Sequence, residues 1–351
     1  MADFAIKIEQ WYKQHKRNLP WRETTNPYYI WLSEIILQQT RVEQGRGYYE
    51  RFVNTFPTVQ ALAAASEEQV LLLWQGLGYY SRARNLHKAA QQIASLGSFP
   101  SDYKTILALP GVGPYTAAAI VSFAYEQPYA VLDGNVYRVL SRYFGIETPI
   151  DSTEGRKEFK TLADELLDKH HPALYNQAIM DFGALVCKPS GVDCALCPLC
   201  DTCFAYAQNR VQQLPVKDKK ILQKTRWFSY VYVCDSEGNV LICRRTRNDI
   251  WKGLYEFFLV ESLQELPLSS LQCKFPKGQW TLLKQGFIHQ LTHQRLAVNF
   301  YKLELPKKDS SLQGFWVKKS ELQNYALPQL LVKLMDNCCL ADYFQTNSRP
   351  I

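Results

Sequence analysis

Five cysteines crowd into a short stretch of this chain, between positions 187 and 203. Thiolates packed this densely are metal ligands before anything else. Four of them are separated by gaps of six, two and five residues, and a proline follows the third. Uneven spacing with a proline beside one ligand favours a [4Fe–4S] cluster, which takes four thiolates. The predicted ligands are Cys187, Cys194, Cys197 and Cys203.

The fifth cysteine, Cys200, leaves a second interpretation open. Two residues separate it from Cys197 and two from Cys203, so a CxxC zinc knuckle can also be drawn. The remaining cysteines are scattered without the spacing of a disulfide framework, which indicates a reducing compartment. The sequence does not decide whether Cys200 ever binds metal.

A carboxylate lies inside the segment YYIWLSEIILQQTRVEQ, which is apolar almost all round. This pattern predicts a helix buried on most faces, and Glu34 is among the buried residues. Burial penalises the charged form, so the pKa of Glu34 should rise toward that of a general acid. Gln38 should follow on the same face, and Glu43 should lie on the opposite side of this helix, away from any shared pocket. The alternative is that Glu34 is a purely structural acid.

Two glycines in LPGVGPYTAAAI precede an alanine-rich helix that should begin near Pro114. Gly111 and Gly113 are free to adopt positive φ, and a tight hairpin here would aim backbone N–H groups at a phosphate. Twenty residues past Gly113, Asp133 ends an apolar run at a position typical of a helix N-cap. Taken singly, the hairpin can equally join two packed helices, and Asp133 can serve only as the cap.

A third glycine-rich stretch, LLLWQGLGYYSRARNL, places Gly76 and Gly78 before two tyrosines, Arg82 and Arg84. Glycines beside aromatic and basic residues suit a loop that enters a DNA duplex, where a side chain fills the gap left by an extruded base. The alternative is a surface loop with one tyrosine in the core.

The residue pattern changes partway along the chain, so the elements that must position these residues belong to two different domains. Apolar residues recur at three and four from Phe4 to about Ala207, which predicts helices without strands. From Trp227, β-rich runs around a turn at 236–239, followed by LAVNFYKLEL and GFWVKK, predict an α+β domain. The Lys-, Arg- and Gln-rich residues between them predict an exposed basic linker. We therefore expect a helical domain at 1–207, a linker at 208–226 and a second domain at 227–351.

Composition restricts the partners and the compartment. Forty Lys and Arg against 33 Asp and Glu give a net charge of +7, a modest bias toward polyanions. No stretch approaches the roughly 18 uninterrupted apolar residues of a membrane span, and the N-terminus lacks the apolar core of a signal peptide. We expect a protein without a membrane partner that stays in the cytosol or its equivalent.

Six motifs together resemble the helix-hairpin-helix DNA glycosylases, and within them the adenine-specific MutY family. They are WLSEIILQQT, GLGYYSRARNLHKAA, LPGVGPYTAAAI, VLDGNVYRVLSR, NQAIMDFGALVC and the cysteine stretch. The resemblance covers nearly the whole chain and implies a helical glycosylase domain with an iron–sulfur module, followed by a Nudix-like domain. It also implies an activity: removal of adenine mispaired with 8-oxoguanine or guanine in duplex DNA, with the base flipped out.

The resemblance assigns roles to residues of this chain. Glu34 resembles the acid that protonates adenine N7, and Asp133 resembles the carboxylate that stabilises an oxocarbenium-like sugar, electrostatically or covalently. Tyr115 and Asn135 resemble members of the same pocket. Tyr115 also stands where bifunctional relatives of the endonuclease III kind carry a lysine, which implies a monofunctional enzyme. Further DNA or substrate contacts, with wedges at 39 and 79, are implied for Trp21, Arg22, Gln38, Gln39, Thr40, Leu77, Gly78, Tyr79, Gly111 and Gly113.

In the second domain the resemblance implies a loop that reads the lesion. Family members commonly carry Phe-Ser-His there, and Phe287, Ile288 and His289 align with it. Because Ile288 has no hydroxyl, the backbone or His289 must read 8-oxoguanine, or discrimination is weakened. No Glu-rich helix of REXXEE spacing follows Gly253, so Nudix pyrophosphatase activity is not expected. The alternative functions are a glycosylase-lyase and a non-catalytic DNA-binding homologue.

Overall fold

The computed structural model describes residues 2–218, 223–338 and 340. Cys339, linker residues 219–222 and residues 341–351 of the predicted second domain lie outside the described residues. The chain forms two compact units, and neither is continuous in sequence. The first unit contains Met1–Gly45, Val53–Ala63 and Lys88–Lys220, and the second contains Arg46–Phe52, Ala64–His87 and Ile221–Ile351.

Helices account for the regular structure of the described residues up to Ala207, apart from short 3-10 turns, as the apolar spacing predicts. No strand occurs within residues 2–218. The helices are α1 (Ala2–His15), α2 (Pro27–Leu37), α3 (Val42–Thr55), α4 (Val59–Ala64), α5 (Glu67–Leu73), α6 (Ser81–Ser95), α7 (Tyr103–Leu107), α8 (Pro114–Tyr125), α9 (Gly134–Phe144), α10 (Thr153–Leu166), α11 (Pro172–Leu185) and α12 (Phe204–Ala207).

The core of the first unit joins helices from distant parts of the chain. Phe4 and Ile8 of α1 are buried together with Leu140 of α9 and Phe182 of α11. The small side chain of Ala119 in α8 belongs to the same buried cluster. This packing joins α8 and α9, and three of the four candidate catalytic residues, Tyr115, Asp133 and Asn135, lie at the starts of these two helices.

The helix that carries Glu34 ends earlier than expected. α2 stops at Leu37, and Gln39 has φ of +55°, a left-handed conformation that ends a helix. Glu43 therefore lies on α3, a separate helix. The expectation that Glu34 and Glu43 occupy opposite faces of one helix is wrong, because the chain reverses its backbone conformation between them.

The described residues from Lys224 onward form a seven-stranded mixed sheet with helices, so the predicted α+β fold class is confirmed. Its main path runs β3-β2-β1-β6-β5, with β4 paired to β1 and β7 paired to β2. β1 and β6 are parallel, and the other pairs are antiparallel. The elements are β1 (Lys224–Asp235), β2 (Asn239–Arg244), β3 (Tyr255–Glu256), β4 (Phe258–Ser262), α13 (Leu268–Gln272), β5 (Gln279–Gln290), β6 (Gln294–Leu305), β7 (Phe315–Lys318) and α14 (Gln329–Asn337).

The predicted lesion-reading loop is a strand. Phe287, Ile288 and His289 lie near the end of β5 and pair with residues 296–298 of β6. The chain turns immediately afterwards, where the Leu291 amide donates to the Gln294 carbonyl over 2.8 Å. Sequence reasoning missed β5 because its apolar residues occur in adjacent pairs, at 282–283 and 287–288, and do not alternate with polar ones.

The predicted basic linker is not exposed throughout. Leu214 is buried, and its carbonyl accepts a hydrogen bond of 3.0 Å from Arg142 Nε in the first unit. Nearby, the Ile150 amide donates to the Val216 carbonyl over 3.1 Å. Leu214 is therefore an apolar contact within a segment whose many charged residues predict exposure.

None of the described helices combines the length and the apolar character needed to span a bilayer.

Candidate active site

A pocket of about 530 Å³ in the first unit brings the predicted catalytic residues together. Glu34 reaches it from α2, Tyr115 from the first turn of α8, and Asp133 and Asn135 from the start of α9. Five more of the predicted contact residues line the same pocket: Trp21, Arg22, Gln38, Gln39 and Thr40. Nine of the candidates from three separate helices and their flanking turns thus share one cavity, which we call the active-site pocket.

The Glu34 carboxyl group is buried in this pocket, with 8% of the residue exposed. Burial raises its pKa to about 7, against a lowering effect from a hydrogen bond with Tyr115 and a raising effect from the charge of Asp133. The expected buried acid is therefore confirmed. Near neutral pH a large fraction of Glu34 carries a proton that it can donate.

The second carboxylate, Asp133, caps α9 as its position in the sequence predicts. Its Oδ1 accepts a hydrogen bond of 2.7 Å from the Val136 amide, and its Oδ2 accepts one of 2.7 Å from the Asn135 side chain. Burial raises the pKa of Asp133, while these hydrogen bonds act in the opposite direction. The cap favours the ionised form, so the two acids of the pocket are held in different environments.

Tyr115 is a neutral hydrogen-bonding partner in the pocket. Burial raises the pKa of its phenol well above the ordinary value, and the charges of Glu34 and Asp133 raise it further. Its hydroxyl donates to the sulfur of Met180 over 3.9 Å, and its interaction with Glu34 raises the pKa of the phenol and lowers that of the acid. A phenol held this far from ionisation can orient the acid but cannot act as a nucleophile.

Asp181 on α11 is a functional residue that sequence reasoning passed over. It is fully buried and accepts a hydrogen bond of 2.5 Å from Arg17 and two of 2.5 and 2.8 Å from Arg22. Burial raises the pKa of Asp181, but the two guanidinium groups outweigh it and hold the pKa below its usual value. The ion pair between Asp181 and Arg22 therefore holds the Arg22 guanidinium group in place. The positive charge of Arg22 in turn lowers the pKa of Glu34. The signal was available, since Asp181 is the one acid in the motif NQAIMDFGALVC.

The glycine hairpin joins α7 to α8, and α8 begins at Pro114 as predicted. Gly111 has φ of +78°, whereas Gly113 is extended and caps α8. The expectation of positive φ thus holds for Gly111 alone. The side chain of Gln38 donates to the Gly111 carbonyl over 3.4 Å and to Thr116 Oγ1 over 3.2 Å, which ties the hairpin to the end of α2.

The predicted cluster ligands lie near one another in the loop from Cys187 to Cys203. Burial, together with the charges of Cys187, Cys203 and Cys194, raises the pKa of Cys197 to about 12. The pKa of Cys194 and that of Cys203 are also raised, first by burial and then by neighbouring thiols. A bound cationic metal centre would stabilise the thiolates of this donor set.

The fifth thiol behaves differently. Cys200 Sγ lies 3.5 Å from the carboxylate of Asp201, the residue that follows it. Within the part of the chain that the structure describes, no group of three or more His, Cys, Asp and Glu side chains could hold a metal ion as it stands.

Two buried arginines of α9 connect this cysteine loop to the pocket. Arg138 donates to the carbonyl of Cys187 over 2.7 Å and to the side chain of Asn135 over 2.8 Å. One turn later, Arg142 donates to the carbonyl of Lys188 over 2.7 Å. The helix capped by Asp133 is thereby hydrogen bonded to the loop that carries the thiols.

The remaining predicted contacts lie in the second unit. Tyr79 has φ of +45°, and its hydroxyl shares a hydrogen bond of 2.5 Å with Thr292. Both residues border a cavity of about 440 Å³, the second-unit cavity, which Leu77, Gly78 and His289 also line. Its wall does not include Phe287 or Ile288, and Phe287 packs against the core of the sheet.

Sequence reasoning missed Thr292, although a signal for it exists. Leu291, Thr292 and His293 place an apolar, a hydroxyl and an imidazole side chain in succession, four residues after Phe287, Ile288 and His289, and they occupy the turn between β5 and β6.

Comparison with known proteins identifies the class. Residues 32–165 match the model of the HhH-GPD superfamily of base excision DNA repair proteins, and residues 229–337 match that of the NUDIX domain. The chain is 32% identical to the adenine DNA glycosylase of Buchnera aphidicola from Acyrthosiphon pisum, over 95% of this chain and 97% of that protein. It is 30% identical to that of Schizosaccharomyces pombe, over 94% and 88%. The chain belongs to the adenine DNA glycosylase family.

Solved structures share the fold of the helical part. A thermostable thymine-DNA glycosylase is 29% identical, with a TM-score of 0.55, and the match covers 58% of this chain and 95% of that one. A non-covalent endonuclease III–DNA complex is 22% identical, with a TM-score of 0.51 over 58% and 94%. The predicted helix-hairpin-helix fold, the Nudix-like fold and the family resemblance are all confirmed.

Proposed function

We propose that this chain hydrolyses the N-glycosidic bond of adenine mispaired with 8-oxoguanine or guanine in duplex DNA. Family membership supports adenine as the base, because the relatives carry it in their names. The observation that carries the chemistry is the pairing in one buried pocket of Glu34, whose pKa is about 7, with Asp133, whose carboxylate is held by two hydrogen bonds.

The first step is acid-assisted departure of the base. The proton of the Glu34 carboxyl group moves to a ring nitrogen of the flipped adenine, N7 by family resemblance, and the electrons of the C1′–N9 bond leave with the base. Protonation makes adenine a neutral leaving group, and general acid catalysis of this kind contributes about 10²- to 10⁴-fold. Tyr115, which lines the same pocket and interacts with Glu34, orients the acid.

The second step is capture of the sugar. Departure of adenine leaves positive charge on C1′ and the ring oxygen, and the Asp133 carboxylate stabilises it in a pocket sheltered from water. Water then adds to C1′ and gives its proton to the Glu34 carboxylate that the first step left behind, which produces an abasic site and restores the acid. Asn135 orients the Asp133 carboxylate through its 2.7 Å hydrogen bond, which favours the charged form against the effect of burial.

Tyr115 supports a monofunctional reaction. A lyase needs an amine to attack C1′ and form a Schiff base. At this position the chain offers a phenol whose pKa burial raises well above its usual value. We therefore propose that the abasic strand is left intact.

Recognition of the lesion is assigned to the second unit. Thr292 and Tyr79 present two hydroxyl groups at the edge of the second-unit cavity, within 2.5 Å of each other. When a purine enters the cavity, the hydrogen bond between the two hydroxyl groups breaks. Each hydroxyl group then forms a hydrogen bond with the edge of the purine. Thr292 thus supplies the hydroxyl that Ile288 lacks, and His289 stands beside it in the cavity wall.

The cysteine loop would hold a [4Fe–4S] cluster through Cys187, Cys194, Cys197 and Cys203. Such a cluster, when bound, supplies covalent crosslinks within the loop. Hydrolysis transfers no electron, so its proposed role is structural: it fixes the loop to which Arg138 connects the active-site helix. We further propose that the protein acts on duplex DNA as a monomer in the bacterial cytoplasm, at the nucleoid.

The test is single-turnover release of adenine from duplexes in which one adenine faces 8-oxoguanine, guanine or thymine. The proposal requires release from the first two pairs, faster opposite 8-oxoguanine, and little from the third. A duplex with an oxidised pyrimidine tests the glycosylase-lyase alternative, and strand nicking there would favour it. Tight binding without any base release would favour the non-catalytic alternative.

A further inference from the structure

The loop that carries Leu77 and Tyr79 has an unusual backbone. Gly76 and Gly78 have φ of +95° and +78°, and Tyr79, which has a side chain, has φ of +45°. Positive φ is sterically unfavourable for a residue with a Cβ, and it persists only where neighbouring contacts hold it. We call residues 76–79 the Gly76–Tyr79 loop.

Arg82, in the first turn of α6, makes several of these contacts. Its backbone amide donates to the Tyr79 carbonyl over 2.8 Å. Its guanidinium Nη2 lies 3.4 Å from the Leu77 carbonyl and 3.3 Å from the Gly78 carbonyl, which also accepts a hydrogen bond of 3.0 Å from the Trp74 indole. The Arg82 side chain therefore holds the Gly76–Tyr79 loop through two consecutive carbonyl groups, those of Leu77 and Gly78.

The same guanidinium lies between two aromatic rings. Its central carbon is 5.1 Å from the centroid of the Trp74 ring and 5.6 Å from that of the Tyr79 ring. Arg82 is 8% exposed, and attraction between a cation and an aromatic face is strongest where water is excluded. The Tyr79 ring is thus held on one side by Arg82, while its hydroxyl meets Thr292.

The charge of Arg82 survives its burial. Burial lowers the pKa of Arg82 to about 10, and the charge of Tyr79 acts in the opposite direction. At pH 7 the group is still a cation. A lysine at this place would keep a cation near Trp74 but would lose the planar fork that reaches two carbonyl groups at once.

From this geometry we propose that Arg82 is a positioning residue that sets the preference for 8-oxoguanine over guanine. It does so by holding the Tyr79 ring in place, so that the Tyr79 hydroxyl stays beside the Thr292 hydroxyl. This inference rests on the lesion-reading role proposed for the second unit. It adds a residue that touches neither the lesion nor the adenine and that acts through the Gly76–Tyr79 loop.

The experiment compares Arg82→Met, Arg82→Lys and the full-length wild type. Single-turnover rates are measured for adenine opposite 8-oxoguanine and opposite guanine, together with duplex affinity and the thermal midpoint. Arg82→Met should lower the ratio of the two rates about tenfold or more, chiefly by slowing the 8-oxoguanine duplex. Arg82→Lys should lower it about threefold, because the cation remains but the fork is lost.

Lys88→Met is the matched control. It removes one positive charge from the same helix at an exposed side chain, and it should leave the ratio within about twofold of wild type. A double-mutant cycle with Tyr79→Ala supplies the second readout. If Arg82 acts through the loop, Arg82→Met in the Tyr79→Ala background should change the ratio little further.

The outcomes separate the two proposals. A wild-type protein without any preference for 8-oxoguanine overturns the lesion-reading role, and this inference falls with it. A wild type with the preference, combined with Arg82 variants that lose rate equally on both duplexes, overturns the inference alone and leaves Arg82 as a structural residue. Should Arg82→Met fail to fold, Arg82→Lys decides: an unchanged ratio at a native thermal midpoint contradicts the proposal.

Discussion

The side-chain amide of Asn135 donates to the Asp133 carboxylate over 2.7 Å in a pocket where the other acid, Glu34, is held by burial. Burial raises the pKa of both acids, and at Asp133 the hydrogen bonds from Asn135 and Val136 act in the opposite direction. The pocket therefore gives its two carboxyl groups different hydrogen-bonding environments.

Replacing the acid should stop the reaction without weakening binding. Glu34→Gln keeps the size of the side chain but holds no transferable acid proton, so single-turnover adenine release should fall about 10²- to 10⁴-fold. Affinity for a lesion duplex, measured by titration, should stay near that of wild type. Glu43→Gln is the control, because Glu43 lies on α3 and does not line the active-site pocket. A Glu34→Gln rate within threefold of wild type would contradict the assignment.

The pH dependence should report the same group. Because Glu34 must be protonated to act and its pKa is about 7, the single-turnover rate should be level below that value and decline about tenfold per unit above it. A rate that rises through neutral pH would mean that Glu34 acts as a base. The measurement uses saturating enzyme, so that changes in DNA affinity do not enter.

Stability gives an independent check on this pKa. A folded-state pKa of about 7 lies above the ordinary value of 4.5, so the native-state contribution of protonated Glu34 is complete below about pH 4.5 and is lost as pH rises through about 7. The free energy of unfolding of Glu34→Gln relative to wild type should therefore increase between pH 5 and pH 8, by up to roughly 3 kcal/mol. Denaturant titrations at both pH values test this.

The cysteine variants should separate ligands from bystanders. Wild-type protein purified without oxygen should be yellow-brown and contain about four irons per chain. Cys194→Ser should lose the iron, whereas Cys200→Ser should retain it, because the Cys200 thiol contacts the Asp201 carboxylate and lies outside the predicted set of four ligands. Stoichiometric zinc without iron in the wild type, or loss of iron in Cys200→Ser, would overturn this ligand set.

A lysine in place of Tyr115 should introduce lyase chemistry. Tyr115→Lys places an amine in the active-site pocket, where burial lowers the pKa of a lysine and leaves part of it neutral and nucleophilic. Borohydride should then trap a covalent protein–DNA adduct far better than it does with wild type. Tyr115→Phe is the matched control and should trap nothing. Efficient trapping by the wild type would contradict a monofunctional reaction.

Loss of the Thr292 hydroxyl should weaken lesion discrimination. Thr292→Val keeps the shape of the side chain and removes its hydrogen bond to Tyr79, so the preference for 8-oxoguanine over guanine should fall about fivefold. Ile288→Ser is the counterpart, since Ile288 lies on β5 outside the second-unit cavity and is expected to change the ratio by less than twofold. If Ile288→Ser raised the preference for 8-oxoguanine over guanine tenfold, the lesion-reading residues would instead be Phe287, Ile288 and His289.

Several features of the site follow from local pattern and were predictable. The apolar surroundings of Glu34 in α2 indicate burial, and burial alone produces most of its pKa shift. Asp133 before a Gly-Asn turn indicates a helix cap, which depends only on residues up to Val136. Hydrophobic periodicity and capping act over one or two helical turns, so they can be read without knowledge of the fold.

Other features depend on contacts between distant segments, and only the tertiary structure reveals them. Asp181 meets Arg22 across 159 positions, and Tyr79 meets Thr292 across 213. β5 carries no apolar alternation of its own and exists because β6 supplies its hydrogen-bonding partners. Side-chain partners and edge strands are set by chain packing, which no local pattern records, whereas helices and caps are set by neighbours in sequence.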